Sequence, residues 1–157
     1  MTPNLKAFLD MIAYSELGAA LLAESDDGYN VIVGSTAAAP DLFHNYTDHP
    51  RKSVTLTIRG RQVQSTAAGR YQILARYYDV YKRQLGLPDF GHDSQDRIAI
   101  QLLGECKAVP LIMAGQFTAA VAACSSRWAS LPGNTYDQHQ NDLTALLDAY
   151  LDAGGTI

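Results

Sequence analysis

Apolar positions near the N-terminus recur at helical spacing. At about 100° of rotation per residue, Leu5, Leu9, Ile12 and Glu16 fall on one narrow stripe of a helix predicted over roughly Pro3 to Leu17. Thr2 is placed as its N-cap and Pro3 at its first position. The segment from Ala19 to Ala39 is rich in Gly, Ala, Ser and Asp, apart from "YNVIV", a short strand candidate, and "TAAAPDLFHNYTDHP" reads as a long irregular loop. Loops of that length in compact domains are uncommon and tend to be functional. In "SVTLTIRGRQVQST" the period changes to two: Val54, Leu56 and Ile58 alternate with polar residues, and Arg59-Gly60 marks a hairpin turn. "STAAGRYQILARYYDVYKRQLG" returns to helical period, with Leu74, Tyr78, Tyr81 and Leu85 on one face and Gly86 as the C-terminal stop. A further helix carries Ile98 and Leu102 behind a cap at Asp93 or Ser94. Shorter helices follow around Leu111 and Val121, then a loop at "WASLPGNTY". The last helix spans roughly Gln140 to Ala153, with Leu143, Leu147 and Tyr150 inward and Gly154-Gly155 ending it. Helix, small β region, then several helices define a mostly helical α+β chain with segregated strands.

The polar exception on an apolar stripe is Glu16. Asp10 points away from the stripe, as a surface acid should, whereas Glu16 lies in line with leucines and an isoleucine. Glutamate is almost never fully buried unless it is compensated or used. Two readings stand about even on periodicity: an ion pair at the core edge, with an arginine such as Arg70, or a catalytic acid. For the second, apolar neighbours disfavour the charged form and hold the carboxyl protonated, ready to protonate a glycosidic oxygen. A flexible segment from Gly18 onward would let it emerge into a cleft.

Composition narrows the field. With 157 residues, 47% hydrophobic and 18% charged, the chain is an ordinary globular sequence, most simply one domain with a real core. A net charge of −4 gives no global positive field for nucleic acid, although Arg51, Lys52, Arg59 and Arg61 form a local basic cluster. No apolar run reaches membrane-spanning length, and "MTPNLKAF" lacks the features of a signal peptide; a chain made and folded in a cytoplasm is expected. Cys106 and Cys124 do not make a disulfide framework and are expected as reduced, packed thiols. His44, His49, His92 and His139 match no metal-ligand spacing, and neither a phosphate-binding glycine loop nor a Gly-x-Ser-x-Gly elbow is present; no metal and no cofactor are expected. In "AAGRYQ", Gly69 permits close backbone approach and Gln72 offers both a donor and an acceptor, suited to sugar amides and hydroxyls. Tyr29, Phe43, Tyr46, Tyr136 and Trp128 are loop aromatics of the kind that face sugar rings, though a lone Trp usually packs the core.

Taken in order, "KAFLDMIAYSE", "YNVIVG", "YTDHPRKSVTL", "STAAGRYQIL", "KRQLGLPDF", "SQD" and "WASLPG" resemble the endolysins of the phage lambda type, over nearly the whole chain from Lys6 to Thr156. The resemblance implies a single lysozyme-like catalytic domain over 1–157, with a small antiparallel β region and a cleft between two lobes. It implies a lytic transglycosylase that cleaves the β-1,4 bond between N-acetylmuramic acid and N-acetylglucosamine in peptidoglycan, leaving a 1,6-anhydromuramyl end. The family's catalytic glutamate, in the "SE" closing the first helix, matches Glu16. Most glycosidases use two carboxylates; in the mechanism the resemblance implies, the substrate's own C6 hydroxyl is the nucleophile and one suffices, although Asp48, Glu24 and Asp26 are candidates for a second. By the same match Arg70, Tyr71 and Gln72 border the cleft, with Tyr46, Asp48, Ser130 and Tyr136 as further substrate-binding candidates. The implied partner is the peptidoglycan strand, met by a monomer without membrane insertion. The resemblance also implies that the chain waits in the host cytoplasm until a separate holin opens the way to the periplasmic wall. A hydrolytic muramidase on the same site and a zinc amidase are the alternatives. The sequence leaves the family pattern after Glu16, where Leu17-Gly18 replaces Gly-Thr, and at Asn30, where lambda-like members carry Asp.

Overall fold

The computed structural model describes residues 1–135 and 139–157. Along these residues run α1 (Pro3–Ala23), the strands β1 (Val54–Ile58) and β2 (Arg61–Ser65), then α2 (Ala75–Leu85), α3 (His92–Glu105), α4 (Ala108–Met113), α5 (Phe117–Cys124) and α6 (Leu143–Asp152). The chain divides into two compact units. One is built from both chain ends, Met1–Glu16 and Ala99–Ile157; the other is the continuous stretch Leu17–Ile98.

In the first unit α1 is buried over most of its circumference: Ala7, Phe8, Leu9, Met11, Ile12 and Ala13 all lie in the core. Phe8 packs edge-on against Phe117 (6.1 Å) and Tyr150 (6.2 Å), a geometry that suits the ring quadrupoles. The helix begins as expected: Thr2 Oγ1 accepts from Leu5 N at 3.4 Å, a side-chain cap over Pro3. It does not end at Leu17. Helical structure resumes through Ala23, but Gly18 (φ 76°, ψ 154°) interrupts it in a region open in practice only to glycine. The break therefore falls just past Glu16.

α6 starts at Leu143, later than expected, because Asp142 is its N-cap and accepts from Thr144 N at 3.1 Å. Leu146 and Tyr150 are its buried residues, while Leu143 and Leu147 are half-buried. Cys106 and Cys124 are free thiols, half-buried and buried respectively. Trp128 is buried, as a core-packing Trp should be.

In the second unit the hairpin forms in the expected place, antiparallel, with Val54 opposite Ser65 and Leu56 opposite Val63. Arg59 (φ 48°) and Gly60 (φ 75°) both take positive φ, as a type I′ turn requires. "YNVIV" is not a strand: Val31 bridges Leu42 and Ile32 bridges Ala68 as isolated pairs, so no ladder propagates. α2 begins at Ala75, not near Thr66. Residues 69–72 make a turn (Gln72 N to Gly69 O, 3.1 Å) closed by the Ala68–Ile73 bridge, and Gln72 has φ 49°, which no helix start allows. Gly86 ends α2 in the left-handed region as expected.

α3 begins at His92, so Asp93 and Ser94 lie in its first turn rather than at a cap. Asp89 does the local work, accepting from Gly91 N at 2.8 Å and Ser94 Oγ at 2.9 Å. Tyr78, Phe90 and His49 form the aromatic core, with ring centroids 4.7–5.7 Å apart. His49 Nδ1 accepts from Arg51 N (2.9 Å), so its Nε2 donates to Ile73 O (2.8 Å). Burial pushes its pKa down, so it is a neutral structural histidine.

Candidate active site

The first unit brings Glu16 and Ser130 together. Ser130 lies in the loop after α5, anchored by buried Trp128 and Leu131. The Asn134 amide braces that loop by donating to the carbonyls of Ala129 (3.1 Å) and Leu131. Ser130 Oγ donates to Glu16 Oε1. Behind it, Ser15 Oγ donates to Ser130 Oγ at 2.9 Å. Asn141 Nδ2 in turn donates to Ser15 O (2.9 Å) and Ser15 Oγ (3.0 Å). Asn141 N also holds Ser130 O at 2.8 Å. Ser15 and Asn141 escaped the reading of the sequence; Ser15 is flagged only by standing next to Glu16, and nothing local marks Asn141.

Desolvation raises the Glu16 pKa from an ordinary 4.5 to about 7, against a smaller downward pull from the Ser130 hydroxyl and backbone N–H. A carboxyl titrating near neutrality is populated in both forms, so it can give a proton and take one back. Its partner is a serine hydroxyl, while Arg70 pairs with Asp27 at 2.6 Å. The core-edge ion pair with Arg70 is not how Glu16 is compensated.

Of the other candidates, those in the second unit are mostly engaged internally. The Arg70 guanidinium is buried, ion-paired with Asp27 and set over the Tyr29 ring at 5.1 Å. Tyr71 is buried, and its hydroxyl and that of Tyr29 both donate to Asp96 Oδ1, at 2.7 and 2.8 Å. Tyr46 donates to Asp26 Oδ2 at 2.6 Å, and His92 Nε2 meets the same oxygen at 2.7 Å; these bonds, Tyr46 foremost, hold the Asp26 pKa down. Tyr29 also stacks on His92 at 3.9 Å. Asp48 is gripped by Arg51 (2.9 Å) and Lys82 (3.1 Å), which keep it well below the usual carboxylate range. Gln72 is half-buried, its Nε2 donating to Gly69 O at 3.0 Å. Tyr136 lies outside the described residues. Among the described residues no group of three or more His, Cys, Asp or Glu is placed to hold a metal ion. No helix among them is long and apolar enough to cross a membrane.

These features have close counterparts. The fold is that of a lysozyme. The solved structure of bacteriophage lambda lysozyme complexed with a chitohexasaccharide matches with a TM-score of 0.89 at 44% identity, covering 100% of this chain and 97% of that one. A second structure of lysozyme from bacteriophage lambda gives 0.85 at 43% identity, with the same coverage. Residues 6–157 match the Endolysin family. The chain is 45% identical to the endolysin of Escherichia phage lambda over 153 residues, covering 97% of this chain and 92% of that protein. It is 43% identical to the endolysin of Escherichia phage P2 over 156 residues, covering 97% and 93%. The chain belongs to the Endolysin family.

Proposed function

We propose that this chain is a peptidoglycan lytic transglycosylase in which Glu16 is the one catalytic carboxyl. The observation that carries the reading is the Glu16 carboxyl itself, desolvated to a pKa of about 7 and held by the Ser130 hydroxyl. In its neutral form it protonates the glycosidic oxygen between N-acetylmuramic acid and N-acetylglucosamine. As the carboxylate it then takes the proton from the muramic acid's C6 hydroxyl as that oxygen closes on C1. No water is consumed, and the acid is regenerated in one cycle. The chitohexasaccharide bound to the related lambda lysozyme supports a β-1,4 glycan as the substrate class.

The whole chain acts in this reading as one catalytic domain and as a monomer. It depends on a separate holin to pass from the host cytoplasm to the periplasmic wall. Gln72 and Ser130 supply polar contacts to the sugars, and Tyr136 an aromatic one. Arg70, Tyr71, Tyr46 and Asp48, each tied to internal partners, hold the shape of the substrate-facing surface. The tethered states of Asp26 and Asp48 favour a mechanism with no second carboxylate.

One experiment separates the chemistries. Purified murein is digested and analysed, unreduced, by mass spectrometry. Anhydro-muropeptides one water lighter than the hydrolytic products are expected. Fully hydrated products would establish a muramidase on the same site, and released stem peptides would establish an amidase. Glu16→Gln, close to isosteric, is expected to lower lysis by at least about 1,000-fold while the fold persists; near-normal lysis by this variant would remove Glu16 from the mechanism.

A further inference from the structure

The hydrogen bonds behind Glu16 run in one direction. The Asn141 amide faces two backbone carbonyls, Ser15 O at 2.9 Å and Ser130 O at 3.4 Å. Exchanging its oxygen and nitrogen would set oxygen against oxygen at both, so the NH2 group is fixed on that side and donates to Ser15 Oγ. A Ser15 hydroxyl that accepts from Asn141 has its own proton free for Ser130 Oγ. Ser130 Oγ, accepting from Ser15, turns its proton to Glu16 Oε1. Were Glu16 to donate instead, the Ser130 proton would have no acceptor among its described partners. Ser15 is buried, so bulk water does not compete for this order, and successive donors polarise one another.

From this order we infer that Asn141 and Ser15 are positioning residues for glycan cleavage. They orient Ser130 as an obligate donor to Glu16 Oε1, which keeps the acidic proton on Oε2 and makes Oε2 the oxygen that delivers and recovers it. The inference rests on Glu16 being the catalytic acid. Without the relay Ser130 is free to rotate and to accept the Glu16 proton, which would aim that proton away from substrate. With it, one carboxylate oxygen is committed to support and the other to chemistry, as a single carboxyl acting first as acid and then as base requires. The relay also steadies the carboxylate left after proton donation, since each donor points toward the developing charge.

The test uses Ser15→Ala, Asn141→Ala and Asn141→Asp in the full chain. The Glu16 carboxyl is followed by carbon-13 NMR titration, and the pH dependence of murein cleavage is measured in parallel. In Ser15→Ala and Asn141→Ala the Glu16 midpoint is expected to rise by about half a pH unit, because an aligned donor to the anion is lost. kcat is expected to fall about tenfold with KM unchanged, as for an interaction realised in the transition state. The alkaline limb of activity should move upward with the NMR midpoint. Asn141→Asp replaces the first donor by an acceptor and should shift the midpoint furthest in the same direction. Folded Ser15→Ala and Asn141→Ala proteins with unmoved midpoints and unchanged kcat would overturn the relay. Midpoints that move while the alkaline limb stays in place would leave the hydrogen bonds standing and overturn their catalytic use; in that case Glu16→Gln should also prove active, which locates the failure in the assignment of Glu16 itself.

Discussion

At the scale of the residue, Glu16 shows how position changes the acidity of a common side chain. Its carboxyl titrates near 7 because burial penalises the anion more than the donors of Ser130 reward it. The same fact has a cost in stability. A raised midpoint means that the folded chain holds a proton which the unfolded chain releases between pH 4.5 and about 7. The Glu16 contribution to stability is therefore fully present below 4.5, declines across that window, and is lost above it. Glu16→Gln is neutral at every pH and escapes the loss. It should match the wild type in chemical denaturation at pH 4.5 and exceed it by roughly 3 kcal/mol at pH 8, from about 1.36 kcal/mol per unit of a midpoint raised from 4.5 to about 7. Equal stabilities at pH 8 would show that desolvation is not what tunes Glu16.

At the scale of the element, local pattern succeeded where one segment contains its own reason. The hairpin has alternation and an Arg59-Gly60 turn, and Thr2 with Pro3 opens a helix whatever lies beyond. Two half-exposed strands on their own are marginal, so amide exchange in 54–65 is expected to run about 100-fold or more faster than in the buried part of α1, as hydrogen-exchange mass spectrometry can measure.

Pattern failed where a distant partner decides. The 66–73 segment looked helical, yet it is held as a turn by Gln95 from α3. This fully buried side chain accepts from Arg70 N at 2.9 Å and donates to Tyr29 O (3.0 Å) and Phe90 O (2.8 Å). Gly69 is required there twice over: its φ is +79°, and a Cβ would stand 2.1 Å from Gln95 Oε1. Gly69→Ala should displace Gln95 and leave several buried groups unpaired, a loss of about 3–5 kcal/mol, read as a large drop in melting temperature. Glu16 itself divides along the same line. Its place on an apolar stripe was legible in the sequence, but Ser15, Ser130 and Asn141 meet across more than a hundred residues of chain.

At the scale of the whole molecule, the first unit is assembled from both chain ends, and its closure is explicit. Asn4 Oδ1 accepts from Thr156 N and Thr156 Oγ1, both at 3.0 Å, and Tyr150 donates to Thr156 O at 3.1 Å. Gly155 fits flat against the Tyr150 ring, where a Cβ would lie 2.3 Å from it. Removing residues 155–157 should lower stability by roughly 2–3 kcal/mol, at about 1 kcal/mol for each lost hydrogen bond, measurable as an earlier urea midpoint.

The sequence by itself determined the balance of helix and strand, the hairpin and its turn, the helix stop at Gly86 and the misplaced carboxylate at Glu16, because each follows from spacing or from what a Gly, Pro or Thr allows locally. The tertiary structure alone decided that α1 is buried nearly all round, that Gly18 breaks it just past the acid, that Arg70 answers Asp27, and that a serine–serine–asparagine relay faces Glu16. Those outcomes depend on desolvation and on hydrogen-bond partners far apart in the chain. Burial and direction are properties of an assembled core, and no local period encodes them.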